Sequence, residues 1–130
     1  MFGRIVVGVA KTESARRAAD IAIDLATRYG ADLHMVTAIS RGASAQDSAE
    51  RRGAEGFLTS YATVAPSRMQ THAVPGDPAD VVLMVAEEVE ADLIVIGNRG
   101  MRGARRVLGS VPNSIAHGAQ CSVLVVDTTS

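Results

Sequence analysis

Apolar and polar positions along this chain switch between two periods, and the switches divide it into alternating strands and helices. Ile5 to Val9 is a continuous apolar run of the kind a strand buried on both faces shows. After it, Thr12 or Ser14 can cap a helix in which Ala18, Ile21, Ala22, Leu25 and Tyr29 recur at helical spacing, with Gly30 closing it. Leu33 to Ile39 reads as a second strand. Ser44 to Ala65 is polar at first and then carries the stripe Ala54, Phe57, Leu58 and Tyr61; Gly53 and Gly56 weaken that helix, and its start is expected to fray. Met69 to Val74 alternates in polarity like an edge strand, and Gly76-Asp77-Pro78 then starts a helix with Asp77 as cap and Pro78 in the first position. The core face of that helix is Val82, Val85, Ala86 and Val89. A fourth strand, Leu93 to Ile96, a short helix from about Val111 to Ala119 and a fifth strand, Ser122 to Val126, complete the pattern. Five strands with helical crossovers predict an α/β fold, an open five-stranded parallel sheet with helices on both faces.

At 130 residues the chain is expected to form one domain spanning residues 1–130, large enough to bury roughly two-thirds of its unfolded surface. Its formal net charge of -1 argues against a nucleic-acid or membrane-surface binder, either of which needs a basic face. Phe2, Tyr29, Phe57 and Tyr61 are the only aromatics and offer no set of base-stacking platforms. Cys121 is the sole cysteine, so no internal disulfide forms, and a reducing cytosol fits best. The first apolar run is too short for a secretory leader, and none approaches the roughly 18 residues that span a bilayer.

Charge is neutral overall but not locally. Directly after the fourth strand comes Gly97-Asn-Arg-Gly-Met-Arg-Gly-Ala-Arg-Arg-Val-Leu-Gly-Ser110. Between Asp92 and Asp127 there is no acidic residue, while Arg99, Arg102, Arg105 and Arg106 all fall there. Open α/β sheets hold their ligands at the carboxyl ends of the strands. Glycines there let backbone N–H groups approach an anion, and Gly109-Ser110 opens a helix whose N-terminus adds partial positive charge. This loop is a candidate phosphate cradle. It is not a Walker A loop, because no lysine precedes Ser110. Lys11, the only lysine, stands at the carboxyl end of the first strand, where it could reach a phosphate as a point charge; the bland alternative is a solvated loop lysine. Ser110 caps its helix, and the same geometry would let its hydroxyl meet a phosphate.

Little else carries chemistry. His34, His72 and His117 are scattered, with no partner constellation, and His117 in the last turn of its helix suits the dipole. No nucleophile elbow, metal-ligand spacing or catalytic acid/base pair is present; Asp77 and Asp80 read as helix-start acids, and Glu87, Glu88, Glu90 and Asp92 as a solvated face. Cys121 reads as a buried small hydrophobe.

Gly97-x2-Gly100-x8-Gly109-Ser110, followed by Val111-Pro-Asn-Ser114 and Cys121-Ser-Val-Leu-Val-Val126, resembles the C-terminal signature of the universal stress protein family. The opening Ile5-Val-Val-Gly-Val9 and the Gly76-Asp-Pro78 helix start also stand where that family has them. The resemblance implies a Rossmann-like sheet in the order 3-2-1-4-5, a homodimer, and ATP or a related adenine nucleotide whose phosphates and ribose lie against Gly97, Arg99, Gly100, Gly109, Ser110 and Val111. Mg2+ would enter with the nucleotide, held by phosphate and water. Two departures stand out. Eight residues, Met101 to Leu108, separate the last two motif glycines where nucleotide-binding members usually have nine. Ala10-Lys11-Thr12 replaces an Asp-Gly-Ser-like run whose aspartate contacts the adenosine, and Ala38 falls where the family packs a side chain on the base. The expected function is therefore a cytoplasmic nucleotide-binding stress regulator. The alternatives are a dimeric interaction protein that has lost its ligand, or a slow ATPase using Thr12 or Ser110. The fifth strand, at a sheet edge in that order, is the expected dimer seam.

Overall fold

A computed structural model describes residues 2–9, 13–40, 45–60, 68–98, 101–102, 105–106 and 110–127. Each apolar run becomes a strand: β1 (Arg4–Gly8), β2 (Asp32–Ile39), β3 (Met69–Pro75), β4 (Leu93–Asn98) and, after two short pieces described below, β7 (Ser122–Asp127). They form one five-stranded sheet in the order β3-β2-β1-β4-β7, and every adjacent pair is parallel. This is the doubly wound order 3-2-1-4-5, with β1 at its centre. The helices between the strands are α1 (Glu13–Tyr29), α2 (Ala45–Thr59), α3 (Pro78–Glu88) and α4 (Ser110–Gly118).

Two-residue periodicity sorts the strand side chains between two cores. Ile5, Val7, Leu33, Met35, Leu93 and Val95 point to the side covered by α1 and α2, where they meet Ala18, Ala19, Ala22, Ala26 and Leu58. Val6, Val36, Ile94 and Ile96 point to the other side, against Val82, Val85 and Ala86 of α3 and Ile115 of α4. Ile5, Val6 and Val7 are wholly inaccessible to solvent, which is why β1 reads as an unbroken apolar run instead of an alternating one. The four alanines let α1 lie close on β1 and β4. Its buried stripe is consequently centred on Ala19, Ala22, Ile23 and Ala26, and Tyr29, expected on the core face, is largely exposed with its ring edge-on to Phe2 at 5.6 Å.

Local chemistry fixes the ends. Gly30, at φ +64°, turns the chain out of α1, and the Ala31 N–H returns to the Ala26 carbonyl at 2.9 Å. Glycines Gly53 and Gly56 lie inside α2, which continues to Thr59 because Ala54 and Leu58 are buried against the sheet. Packing overrides the local propensity there. Tyr61 and Ala65, expected in this helix, lie outside the described residues. Asp92, expected as part of a solvated acidic face, instead accepts the N–H groups of Gly3 and Arg4 at 2.9 and 3.1 Å and ties the entrance of β1 to that of β4. Gly8 stands where a Cβ would come within 2.8 Å of Ile96 Cδ1 and 3.1 Å of Val82 Cγ2, so its lack of a side chain lets α3 seat on the sheet.

Helix α3 starts as its sequence specifies. Asp77 has extended backbone angles, its carboxylate accepts the Asp80 N–H at 3.4 Å, and Pro78 occupies the first turn. Replacing Asp77 by alanine should lower unfolding stability by about 1 kcal/mol, and Asp77→Ser should restore most of it. Urea denaturation followed by circular dichroism measures both; an Asp77→Ala protein as stable as the wild type would show that the cap contributes nothing.

Candidate functional site

β1 and β4 are neighbours in the sheet, but the chain leaves β1 toward α1 on one face, whereas α3 and α4 cover the other. Their carboxyl ends therefore diverge, which opens the crevice where such sheets take ligands. Gly97 is half-buried at this end of β4, in register with Val126. The next residue, Asn98, is completely buried and stands opposite Asp127. Because β7 starts at the opposite edge of the sheet, α4 must run back across it, and this puts Ser110, exposed at the first position of α4, on the same carboxyl edge. Val111, half-buried beside it, packs against the α3 and α4 core. Ala38 is half-buried near the same end of β2, opposite Val74 of β3.

Four of the expected site residues, Gly97, Ser110, Val111 and Ala38, are thus placed along one edge. Ala10, Lys11, Thr12, Arg99, Gly100 and Gly109 lie outside the described residues. Between β4 and α4 the chain is not a plain loop: β5 (Met101–Arg102) pairs antiparallel with β6 (Arg105–Arg106), Met101 opposite Arg106 and Arg102 opposite Arg105. Two-residue strands show no periodicity, so nothing in the sequence marks this hairpin.

Asn98 escaped the sequence reading, which ended the fourth strand at Ile96. The available signal was a polar residue one glycine beyond an apolar run and followed by a second glycine two positions on. The first-turn N–H groups of α4 and the exposed Ser110 hydroxyl form a set of neutral hydrogen-bonding groups at this edge. Such a set fits a phosphate ester or a ribose hydroxyl, since it supplies donors without a fixed charge that would select one ion. The small side chain of Ala38 leaves room on the β2 side of the crevice.

Two other features lie away from this edge. Cys121 is half-buried rather than fully buried, in a groove between the C-terminal ends of α3 and α4 that Leu83, Ala86 and Ile94 also line. Burial, with Asp92 nearby, pushes its thiol above the ordinary cysteine range, the opposite of an activated nucleophile. The scattered histidines are a correction. Parallel pairing of β2 with β3 sets His34 opposite Gln70 and His72 opposite Val36, and the two rings meet diagonally with His34 Nδ1 3.0 Å from His72 Nε2. His117 remains exposed in the last turn of α4.

Comparison with known proteins agrees with this arrangement. A family model, the Universal stress protein family, matches residues 1–127. The universal stress protein Rv1636 of Mycobacterium tuberculosis is 30% identical in sequence, the alignment covering 98% of each chain. Among solved structures, a universal stress protein in complex with cAMP superposes with a TM-score of 0.77 at 33% identity, over 98% of both chains. A universal stress protein from Archaeoglobus fulgidus in complex with dAMP superposes with a TM-score of 0.76 at 25% identity, over 95% of this chain and 96% of that one. With a matching family model over nearly its whole length, a full-length relative and the doubly wound order, this chain belongs to the universal stress protein family.

Proposed function

We propose that this protein is a cytoplasmic, single-domain regulator that binds ATP or a related adenine nucleotide at the carboxyl edge of its sheet and acts on partners according to occupancy. The observation that carries the reading is the convergence of Gly97, at the exit of β4, with Ser110, at the N-terminus of α4, beside the divergence of β1 and β4. In this reading Gly97, Arg99, Gly100, Gly109, Ser110 and Val111 hold the phosphates and ribose, with backbone N–H groups and the α4 dipole as the main donors. Ala10, Lys11 and Thr12 line the β1 side, where the lysine adds a charge toward the phosphates. Ala38 floors the base pocket. Mg2+ would accompany a triphosphate, held by its oxygens and water. The solved relatives that carry cAMP and dAMP support an adenine nucleotide as the ligand class. The role is that of a sensor; no residue is assigned to catalysis.

One observation favours a second reading. Ala10 stands where the family's adenosine-contacting aspartate is expected, and the motif is one residue short, as in a member that has given up its ligand and works only as an interaction dimer. In either reading β7 is the dimer seam. Among the described residues it pairs with β4 alone, Leu124 is 37% exposed, and a second copy of the strand would take up the open backbone groups.

Mass spectrometry of the supernatant from denatured purified protein should find an adenine nucleotide, and calorimetric titration should rank ATP above AMP at low salt. Gly109→Val should weaken binding by at least about tenfold, because roughly 1.4 kcal/mol of lost phosphate contact suffices for that. Rising salt should weaken ATP more than AMP, and Lys11→Ala should shrink the difference. Unchanged affinity in a folded Gly109→Val would remove the glycine loop from the site, and no binding of any adenine nucleotide would select the ligand-free reading.

Analytical ultracentrifugation should find a dimer at micromolar concentration. Val125→Lys on β7 should give monomers or insoluble protein, since it puts an unpaired charge in the seam. A wild-type monomer across that range would dispose of the edge-strand dimer.

A further inference from the structure

Besides the partial burial of Met69 and Val74, four contacts among the described residues hold β3, the outermost strand on its side of the sheet, to the rest of the molecule. They are its backbone ladder to β2, the Arg68–Asp32 ion pair at 2.6 Å, the Arg51 guanidinium of α2 donating to the Ala73 carbonyl at 2.9 Å, and the His34–His72 contact. Among the described residues no β3 side chain is fully buried; Met69 and Val74 pack partly buried against the two cores. Of the four fasteners, only the imidazoles change charge between about pH 5 and 8 at their ordinary values.

The geometry of the pair is that of a hydrogen bond. The ring centroids are 5.2 Å apart while the facing nitrogens are 3.0 Å apart, so the rings meet nearly end-on along the line of the bond. One neutral ring donates N–H and the other accepts. His34 is 7% exposed, His72 is half-buried, and both lie on the α3 side of the sheet. Asp32 on β2 favours the charged form of His34 and Glu88 on α3 that of His72, while the His72 ring and Arg4 on β1 oppose the charged form of His34. Burial outweighs the rest and holds both rings below the ordinary histidine value of 6.5.

Proton uptake by such a pair has two steps. The first proton goes to the outer nitrogen of the donor ring and leaves the N–H···N bond intact, now charge-assisted. A second must take the facing nitrogen of the acceptor ring. No lone pair then remains between the rings, and two cations confront each other at 3.0 Å in a half-buried site.

We propose that the His34–His72 hydrogen bond is an acid-released fastener of the outer strand: uptake of the second proton breaks the bond, the rings repel, and β3 loosens from β2. The sign follows from linkage. Because the folded values are lowered, the open or unfolded state binds more protons, so the closed form is fully favoured above about pH 6.5 and loses ground as pH falls below it. His34 lies four residues from Ala38 along β2, about 13 Å at roughly 3.3 Å per residue, and His72 stands opposite Val36, two residues from Ala38, so neither ring is among the residues assigned to the candidate nucleotide crevice.

Amide hydrogen exchange of the whole protein tests this, corrected for the intrinsic pH dependence of exchange. Between pH 7.5 and 5.0, protection of Gln70 to Val74 should fall at least about tenfold relative to β1 in the wild type, while His72→Gln, neutral at every pH, should show no such selective loss. Equal loss in β3 and β1, or a selective loss that persists in His72→Gln, would overturn the proposal. Should that variant fail to fold, His34→Gln replaces it. NMR titration of the wild-type imidazoles is the independent readout: a coupled two-step titration below 6.5 is expected, and two independent titrations at ordinary values would overturn it equally.

Discussion

Burial of β1 on both faces is the constraint from which the rest of the structure follows. Ile5, Val6 and Val7 have no access to solvent, and a strand in that position must find backbone partners on both edges and apolar cover above and below. β2 and β4 supply the first; α1 with α2, and α3 with α4, supply the second. The cover is made close by small residues. Alanines on α1 and the absent side chain of Gly8 beneath α3 let helix backbones lie near the sheet, so the two layers share β1 as a common floor.

The candidate crevice is a by-product of this arrangement. With helices on opposite faces on either side of β1, the carboxyl ends of β1 and β4 cannot both be covered by the same crossover. The segment between β4 and α4 leaves from this carboxyl edge. Among its described residues that segment has a short antiparallel pair of arginine-bearing strands, and it ends at the N-terminus of α4 at Ser110. Asn98, buried at the end of β4, gives an otherwise apolar strand a polar group at this edge of the sheet.

The sheet's two outer strands meet the edge problem differently. β3 has its carbonyl at Ala73 taken by Arg51 and its inner side fastened by a histidine pair, so its attachment depends on charge state. β7 has an exposed Leu124 between half-buried Val123 and Val125, so its surface is suited to another apolar edge.

Much of this was legible in the sequence, because the signals concerned are local. A strand buried on both sides needs a continuous run of branched apolar residues, and Asp77-Pro78 and Gly30 start and stop helices by chemistry within one turn. The order of the strands came with the glycine motif and its family resemblance, since periodicity alone does not say which runs become neighbours. Tertiary structure decided what depends on register. His34 and His72, thirty-eight residues apart, meet only because Leu33 pairs with Met69; a slip of one residue would send one ring to the other face. The rotation of α1 that exposes Tyr29 was set by where four alanines could approach the sheet, and Asp92 became a latch only when β4 was laid beside β1. A sequence carries its periods and its caps openly, whereas contacts between distant segments acquire meaning only after packing has chosen which faces touch.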